Sequence, residues 1–181
     1  MNSGFLSSFN RRFKSPVNVN SMRGISTLDP MRTAQMFLSP IGTLTVETAK
    51  GTITRVSFGK SSKKDPRCNA LLKRCLKQLQ EYFHGKRRTF SLPLAPVGTV
   101  FERRVWRELQ HIPYGETASY ATIARAIGKP AACRAVGRAC AKNPIPLLIP
   151  CHRIIAANGS LGGYSGGKQR KQRLLRSEQR T

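Results

Sequence analysis

At 181 residues the chain can bury a sizeable core, yet it is short enough for one compact domain or two small, intimately packed ones. Its 32 Lys and Arg against 8 Asp and Glu give a formal net charge of +24, with 17 basic and 4 acidic side chains in residues 1–97 and 15 and 4 in residues 98–181. An excess spread along the chain fits contact with a polyanion, nucleic acid first, better than a basic tail on a neutral domain.

No run approaches the roughly 18 apolar residues of a membrane-spanning helix, and no apolar signal region with a cleavage site follows the start, so no membrane association is expected. The cysteines Cys68, Cys75, Cys133, Cys140 and Cys151 are odd in number and lack paired spacing. That argues against a disulfide framework and for a reducing, intracellular compartment in which a thiol is free for chemistry.

Residues 1–32 are rich in Ser, Asn and Arg and show no sustained periodicity. They are expected to form a disordered or targeting extension, either an untidy tail or an Arg-rich mitochondrial transit segment over residues 1–30. Short β-rich pieces follow: Met36 to Leu38, Leu44 to Thr48 and Ile53 to Phe58, punctuated by Pro40-Ile41-Gly42 and Lys50-Gly51. They predict a small antiparallel meander, with a bulge where alternation fails between Ile53 and Val56.

Pro66 is expected to open a helix on which Leu72, Cys75, Leu76, Leu79, Tyr82 and Phe83 recur at helical spacing, closed by Gly85. Cys68 and Cys75 would both lie on it as small core or flanking residues, without the spacing of metal ligands. A Pro and Gly linker, Pro93 to Gly98, then divides an α+β half, residues 33–97, from a mainly helical half, residues 98–181.

In that second half Phe101, Val105, Leu109 and Ile112 line one face of a helix ending at Pro113-Tyr114-Gly115, with Trp106 beside the stripe. Ser119 can cap a short helix carrying Ile123, Ala124 and Ile127, stopped by Gly128; Pro130 is expected to start another running to about Cys140. Two short helices joined in this way outline a helix-turn-helix. The second is small-residue rich (Ala131, Ala132, Ala135, Gly137, Ala139, Ala141), with Arg134 and Arg138 one turn apart. It suits close approach to a DNA groove, the alternative being tight packing in a core.

Residues 143–155 then bring Cys151, His152 and Arg153 between apolar flanks. A cysteine nucleophile needs a base for its proton and cationic surroundings for the thiolate, since a free thiol with pKa near 8.5 is mostly protonated at neutral pH. His152 and Arg153 are the residues expected to supply them. An isolated Cys-His pair would be a poor signal, because buried cysteines are usually inert.

The whole string is more specific. Asn143-Pro-Ile-Pro, Pro150-Cys-His-Arg and Gly162-Gly-Tyr-Ser-Gly-Gly167 accompany Gly98-Thr-Val-Phe101, Val105-Trp106, Ile112-Pro-Tyr-Gly-Glu-Thr117, Ser119-Tyr120 and Arg134-Ala-Val-Gly137. Together they resemble the O6-alkylguanine-DNA alkyltransferase family over about residues 35–179, with most specificity from Gly98 onward.

The resemblance implies an α+β fold: a ribonuclease-H-like first half with a small antiparallel sheet, and a winged helix-turn-helix second half. It implies DNA repair by direct reversal, in which the alkyl group of a flipped-out O6-alkylguanine, and of O4-alkylthymine, moves irreversibly to Cys151. In the reactive set it implies, Glu178 orients His152, His152 takes the thiol proton through a water, and Asn143 fixes the local backbone. The partner would be double-stranded DNA read through the minor groove. Arg134 would be the finger that fills the gap left by the flipped nucleotide, on a helix whose Ala135, Gly137 and Arg138 also face DNA. Tyr120 would contact the flipped purine and its phosphate, Ser165 would lie near O6, and Tyr164 would belong to the loop over the pocket. No cofactor and no metal are expected, and the protein would act as a monomer in the cytoplasm of a bacterium or the nucleus of a eukaryote.

The chain departs from the family pattern at Arg173, where a Trp is usual, at Cys133 for an alanine and at Glu102 for a glutamine. Two rival readings are a DNA-binding sensor with the same winged domain, which the presence of Cys151 opposes, and a thiol hydrolase, which the charge and Arg134 oppose.

Overall fold

The computed structural model describes residues 32–60 and 68–179. The expected extension therefore lies outside the described residues, except for Arg32.

The meander is present as β1 (Thr33–Ser39), β2 (Gly42–Ala49) and β3 (Thr52–Phe58), an antiparallel sheet in that order. Lys50 and Gly51 turn the second hairpin with φ of 49° and 73°, the left-handed pair that suits the twist of a two-residue β-turn. The break in alternation is a real irregularity: Glu47 pairs with Arg55 and Thr48 with Ile53, so Thr54 has no opposite number. The extra residue lets both Ile53 and Val56 reach the core.

Helix α1 (Ala70–Phe83) lies against β1 and β2. It begins later than the sequence suggests. Asn69 is its cap, accepting from the Leu72 amide at 2.8 Å while its own amide donates to Thr33 Oγ1 at 2.9 Å and Thr48 Oγ1 at 3.1 Å. One side chain thus starts the helix and ties it to the sheet. Pro66 lies outside the described residues, and Cys68 precedes the helix rather than riding on it; Cys75 is a buried core residue.

The linker closes on the sheet. Ile53 exchanges backbone hydrogen bonds with the Pro93 carbonyl and the Ala95 amide, and Val56 donates to the Pro144 carbonyl at 2.9 Å. The outer edge of β3 is therefore occupied by the linker at one point and by the loop leading to Cys151 at another, which removes it as a free sheet edge.

Helix α2 (Val100–Leu109) opens with a capping box: Thr99 accepts from the Glu102 amide and Glu102 accepts from the Thr99 amide. Glu102 also pairs with Lys142 at 3.1 Å, which accounts for an acid at this position. Trp106 is buried, donates to the Ala139 carbonyl at 2.8 Å and lies so close to Gly98 that a Cβ there would sit 2.4 Å from its ring. That contact explains the glycine by packing rather than by backbone conformation.

Ser119 caps α3 (Tyr120–Ala126), as its sequence indicates. Helix α4 (Cys133–Ala141) starts three residues after Pro130. Pro130 and Ala131 instead form a tight turn closed from the Ala132 amide to the Lys129 carbonyl at 2.9 Å. The fixed φ of proline serves a turn as readily as a first helical position. A parallel pair, β4 (Ala118–Ser119) with β5 (Ile154–Ile155), joins the start of α3 to the segment after Cys151. Helix α5 (Lys168–Gln179) completes the fold.

One apolar core runs through both halves, from Ile41 and Leu44 through Leu79 and Trp106 to Ile154 and Leu174. Among the described residues no helix is long and apolar enough to cross a membrane.

Candidate active site

After α4 the chain runs through an almost wholly buried loop to a single 3-10 turn, Cys151–Arg153. The turn buries Cys151, His152 and Arg153 together, whereas an extended strand would have pointed neighbours apart.

Asn143 sets the loop's shape and touches the thiol. Its Oδ1 accepts from the Ile145 amide at 3.0 Å, and its Nδ2 donates to the Ile149 carbonyl at 2.9 Å and to Cys151 Sγ at 3.1 Å. Burial pushes the Cys151 thiol up to about 11, against the hydrogen bond from Asn143 and the charge of Lys171, which both pull it down. The resting sulfur is therefore a thiol, and its nucleophilic form must be produced during reaction.

His152 is fully buried. Its Nε2 lies 2.9 Å from Glu178 Oε1, while Nδ1 meets no hydrogen-bond partner among the described residues. Burial lowers its pKa against the raising effect of Glu178, so the ring is neutral at rest. With Nε2–H directed at a carboxylate, Nδ1 is the basic nitrogen, a tautomer inferred from the hydrogen bonds. No hydrogen bond joins His152 directly to the Cys151 sulfur among the described residues.

Glu178 is a hub. Oε1 accepts from Tyr82 Oη at 2.6 Å, His152 Nε2 at 2.9 Å and Arg153 Nη2 at 2.9 Å; Oε2 accepts from Arg153 Nε at 2.9 Å and the Gly115 amide at 3.1 Å. Burial alone would raise its pKa, but the hydrogen bonds and charges of His152 and Arg153 outweigh it and bring it down to about 2. The carboxylate is ionised at neutral pH, and the guanidinium fork of Arg153 is its counter-charge.

This corrects one expectation. Arg153 does not face the sulfur: its guanidinium is spent on Glu178 and on the Ile112 carbonyl at 2.7 Å. The cation whose charge reaches Cys151 is Lys171. That residue is fully buried, with Nζ donating to the Ile154 carbonyl and, at 3.3 Å, to the Gly163 carbonyl. Lys171 sits in a basic run that reads as a solvated surface. The usable signal was phase, since Lys171, Leu174, Leu175 and Glu178 recur at helical spacing and are the buried face of α5.

The other candidates surround this centre. Tyr120, half-buried at the start of α3, rests against Gly162 and Gly137; a Cβ on Gly162 would meet its hydroxyl at 2.7 Å, and one on Gly137 would meet its ring at 3.6 Å. Tyr164 stands edge-on to His152 at 6.4 Å and to Phe58 at 5.8 Å, with its hydroxyl unpartnered among the described residues. Ser165 is exposed in the adjoining turn. On α4, Arg134 and Arg138 are exposed one turn apart, with Ala135 and Gly137 half-buried between them. The described residues contain no group of three or more His, Cys, Asp or Glu arranged to hold a metal ion.

Fold and site together define a protein that sets a basic helix-turn-helix beside a buried cysteine served by a histidine and a carboxylate. Comparison with known proteins gives the family. Residues 34–96 match "6-O-methylguanine DNA methyltransferase, ribonuclease-like domain", and residues 100–180 match "6-O-methylguanine DNA methyltransferase, DNA binding domain". A methylated-DNA–protein-cysteine methyltransferase of Methanosarcina acetivorans is 42% identical over 149 residues, covering 79% of this chain and 96% of that protein. The stretches matched in curated relatives range from 55% to 96% of their lengths. The crystal structure of Mycobacterium tuberculosis O6-methylguanine methyltransferase superposes with a TM-score of 0.75 at 40% identity, covering 83% of this chain and 94% of that one. The structure of M. tuberculosis OGT in complex with DNA matches equally well, at 41% identity and TM-score 0.75 over 81% and 92% of the two chains. The chain belongs to the 6-O-methylguanine DNA methyltransferase family.

Proposed function

We infer that this protein repairs DNA by moving the alkyl group of O6-alkylguanine from the duplex onto its own Cys151, once per molecule and without a cofactor. The observation that carries the assignment is a buried thiol hydrogen-bonded by Asn143, beside a neutral His152 whose far nitrogen is anchored on an ionised Glu178.

In the reaction Cys151 gives its proton to His152 Nδ1 through a water, and the sulfur forms a bond to the alkyl carbon while the carbon–O6 bond breaks. The electron pair stays on guanine, which leaves the carbon intact and takes up a proton. Glu178 stabilises the imidazolium and fixes its tautomer, the role of the third member in nucleophile–base–orienter sets. Asn143 Nδ2 and the charge of Lys171 favour the thiolate as it forms. The product is a thioether, which no ordinary base reverses.

The remaining roles follow the surroundings of this centre. The target base must leave the stack to reach a buried sulfur, and Arg134, exposed on a helix of small residues, is placed to occupy the gap. Tyr120, Tyr164 and Ser165 flank the base, with Tyr120 and Tyr164 as its apolar walls. Ala135, Gly137 and Arg138 lie along the DNA-facing side of α4. Residues 33–97 and 98–181 act as the supporting and the DNA-handling halves.

The test uses duplex DNA carrying tritiated O6-methylguanine. After the DNA is degraded by hot acid or nuclease, label should remain precipitable with the protein, and should not do so with Cys151→Ser. Label released as methanol or formaldehyde would overturn the assignment.

A further inference from the structure

We propose that Tyr82, contributed by helix α1 of the first half, is a positioning residue for the alkyl transfer, acting through Glu178 on the proton affinity of His152. The proposal rests on the function inferred above and adds a residue to its machinery.

Of the five hydrogen bonds to the Glu178 carboxylate, four come from the second half of the chain: His152, the two from Arg153, and the Gly115 amide. The fifth and shortest, 2.6 Å, crosses from Tyr82, 96 positions away in sequence. It falls on Oε1, the oxygen that also receives His152 Nε2. Arg153 Nη2 shares that oxygen as well, and donors on one carboxylate oxygen compete for its electron density. A strong phenolic donor beside the imidazole therefore makes that oxygen a weaker acceptor for His152 and keeps the imidazole less basic. The hydroxyl is a permanent donor, since burial and the neighbouring Glu178 charge hold its pKa well above the usual tyrosine value.

The ring is built to hold that hydroxyl still. Tyr82 is 3% exposed, and it packs against Phe83 at 5.2 Å, Phe90 at 5.3 Å and Tyr114 edge-on at 5.9 Å. Arg153 in turn lies 5.8 Å over the Tyr114 ring. An aromatic cluster thus reaches both Glu178 and its arginine partner, so the first half of the chain can set the geometry of the proton acceptor without touching the sulfur or the substrate.

A purely structural tyrosine would anchor α1 and merely satisfy its hydroxyl on the nearest carboxylate. Tyr82→Phe separates the two roles, because it keeps the ring and removes one oxygen. The variant should bind methylated duplex with unchanged affinity. At pH values below the raised His152 pKa, where more of the imidazole is protonated and cannot take the thiol proton, it should react several-fold more slowly with both duplex O6-methylguanine and free O6-benzylguanine. Relieved of its competitor, Glu178 would raise the pKa of His152, so the acid limb of the rate profile should move to higher pH. Combined with Glu178→Gln, Tyr82→Phe should add nothing further.

Rates and pH profile within twofold of wild type in a folded variant would overturn the proposal, as would fully additive losses in the double variant. Should Tyr82→Phe fail to fold, 3-fluorotyrosine incorporated at position 82 gives the independent reading. Its stronger donor should move the acid limb to lower pH, and an unmoved limb overturns the proposal. Wild-type protein that transfers no methyl to Cys151 would instead defeat the functional assignment itself.

Discussion

Glu178 is the residue on which most of the site's electrostatics converge. Changing it to Gln removes the charge that balances Arg153 and turns part of an acceptor into a donor facing donors. Breaking one member of a buried ion pair typically costs about 3–5 kcal/mol, so Glu178→Gln should lower the denaturation midpoint and slow alkylation while DNA affinity stays nearly constant. The carboxyl's pKa is depressed to about 2 from an ordinary 4.5. Its contribution to stability is therefore full above about pH 4.5 and lost as pH falls toward 2, and urea melts of wild type and Glu178→Gln should converge across that window. Parallel stability curves down to pH 2 would remove Glu178 from this role. Cys151, His152 and Asn143 stood out in the sequence through a specific string of neighbours, and Glu178 through the family resemblance alone. Lys171 and Tyr82 were not: the carbonyls that hold Lys171 are 17 and 8 positions away, and the carboxylate that takes the Tyr82 hydroxyl is 96 away.

At the scale of elements, the loop through Gly162 and helix α4 make separable demands. Gly162 has φ of 62°, and a Cβ on it would collide with the Tyr120 hydroxyl. Gly162→Ala should cost about 1–2 kcal/mol for the left-handed backbone and displace Tyr120, slowing reaction with free O6-benzylguanine as well as with duplex. Arg134→Ala should slow the duplex reaction alone, because a free base needs no flipping. Equal losses on both substrates for Arg134→Ala would sink the finger role, and wild-type rates for Gly162→Ala would show that the Tyr120 contact is immaterial. The three strands of the meander, the capped α3 and the irregularity in β3 were legible from alternation and turn residues, whereas the parallel pair β4–β5 was not. The starts of α1 and α4 were misplaced: α1 begins at Ala70 behind the Asn69 cap, and Pro130 carries the same local signal in a turn as at a first helical position. Only the tertiary bonds of Asn69 show where α1 begins.

For the molecule as a whole, the net charge of +24 and the buried sulfur assign binding and chemistry to different groups. With phosphate contacts assigned on the proposed function to the distributed Lys and Arg, Cys151→Ser should keep tight, steeply salt-dependent DNA binding while losing repair. The most direct test of the central claim is peptide mass spectrometry of the protein after reaction with excess O6-methylguanine duplex. Each active molecule should consume one lesion, and the Cys151 peptide alone should gain one methyl group, about 14 mass units, because thioether formation spends the nucleophile. Several lesions repaired per protein, or the methyl found on Cys68, Cys75, Cys133 or Cys140, would contradict the account.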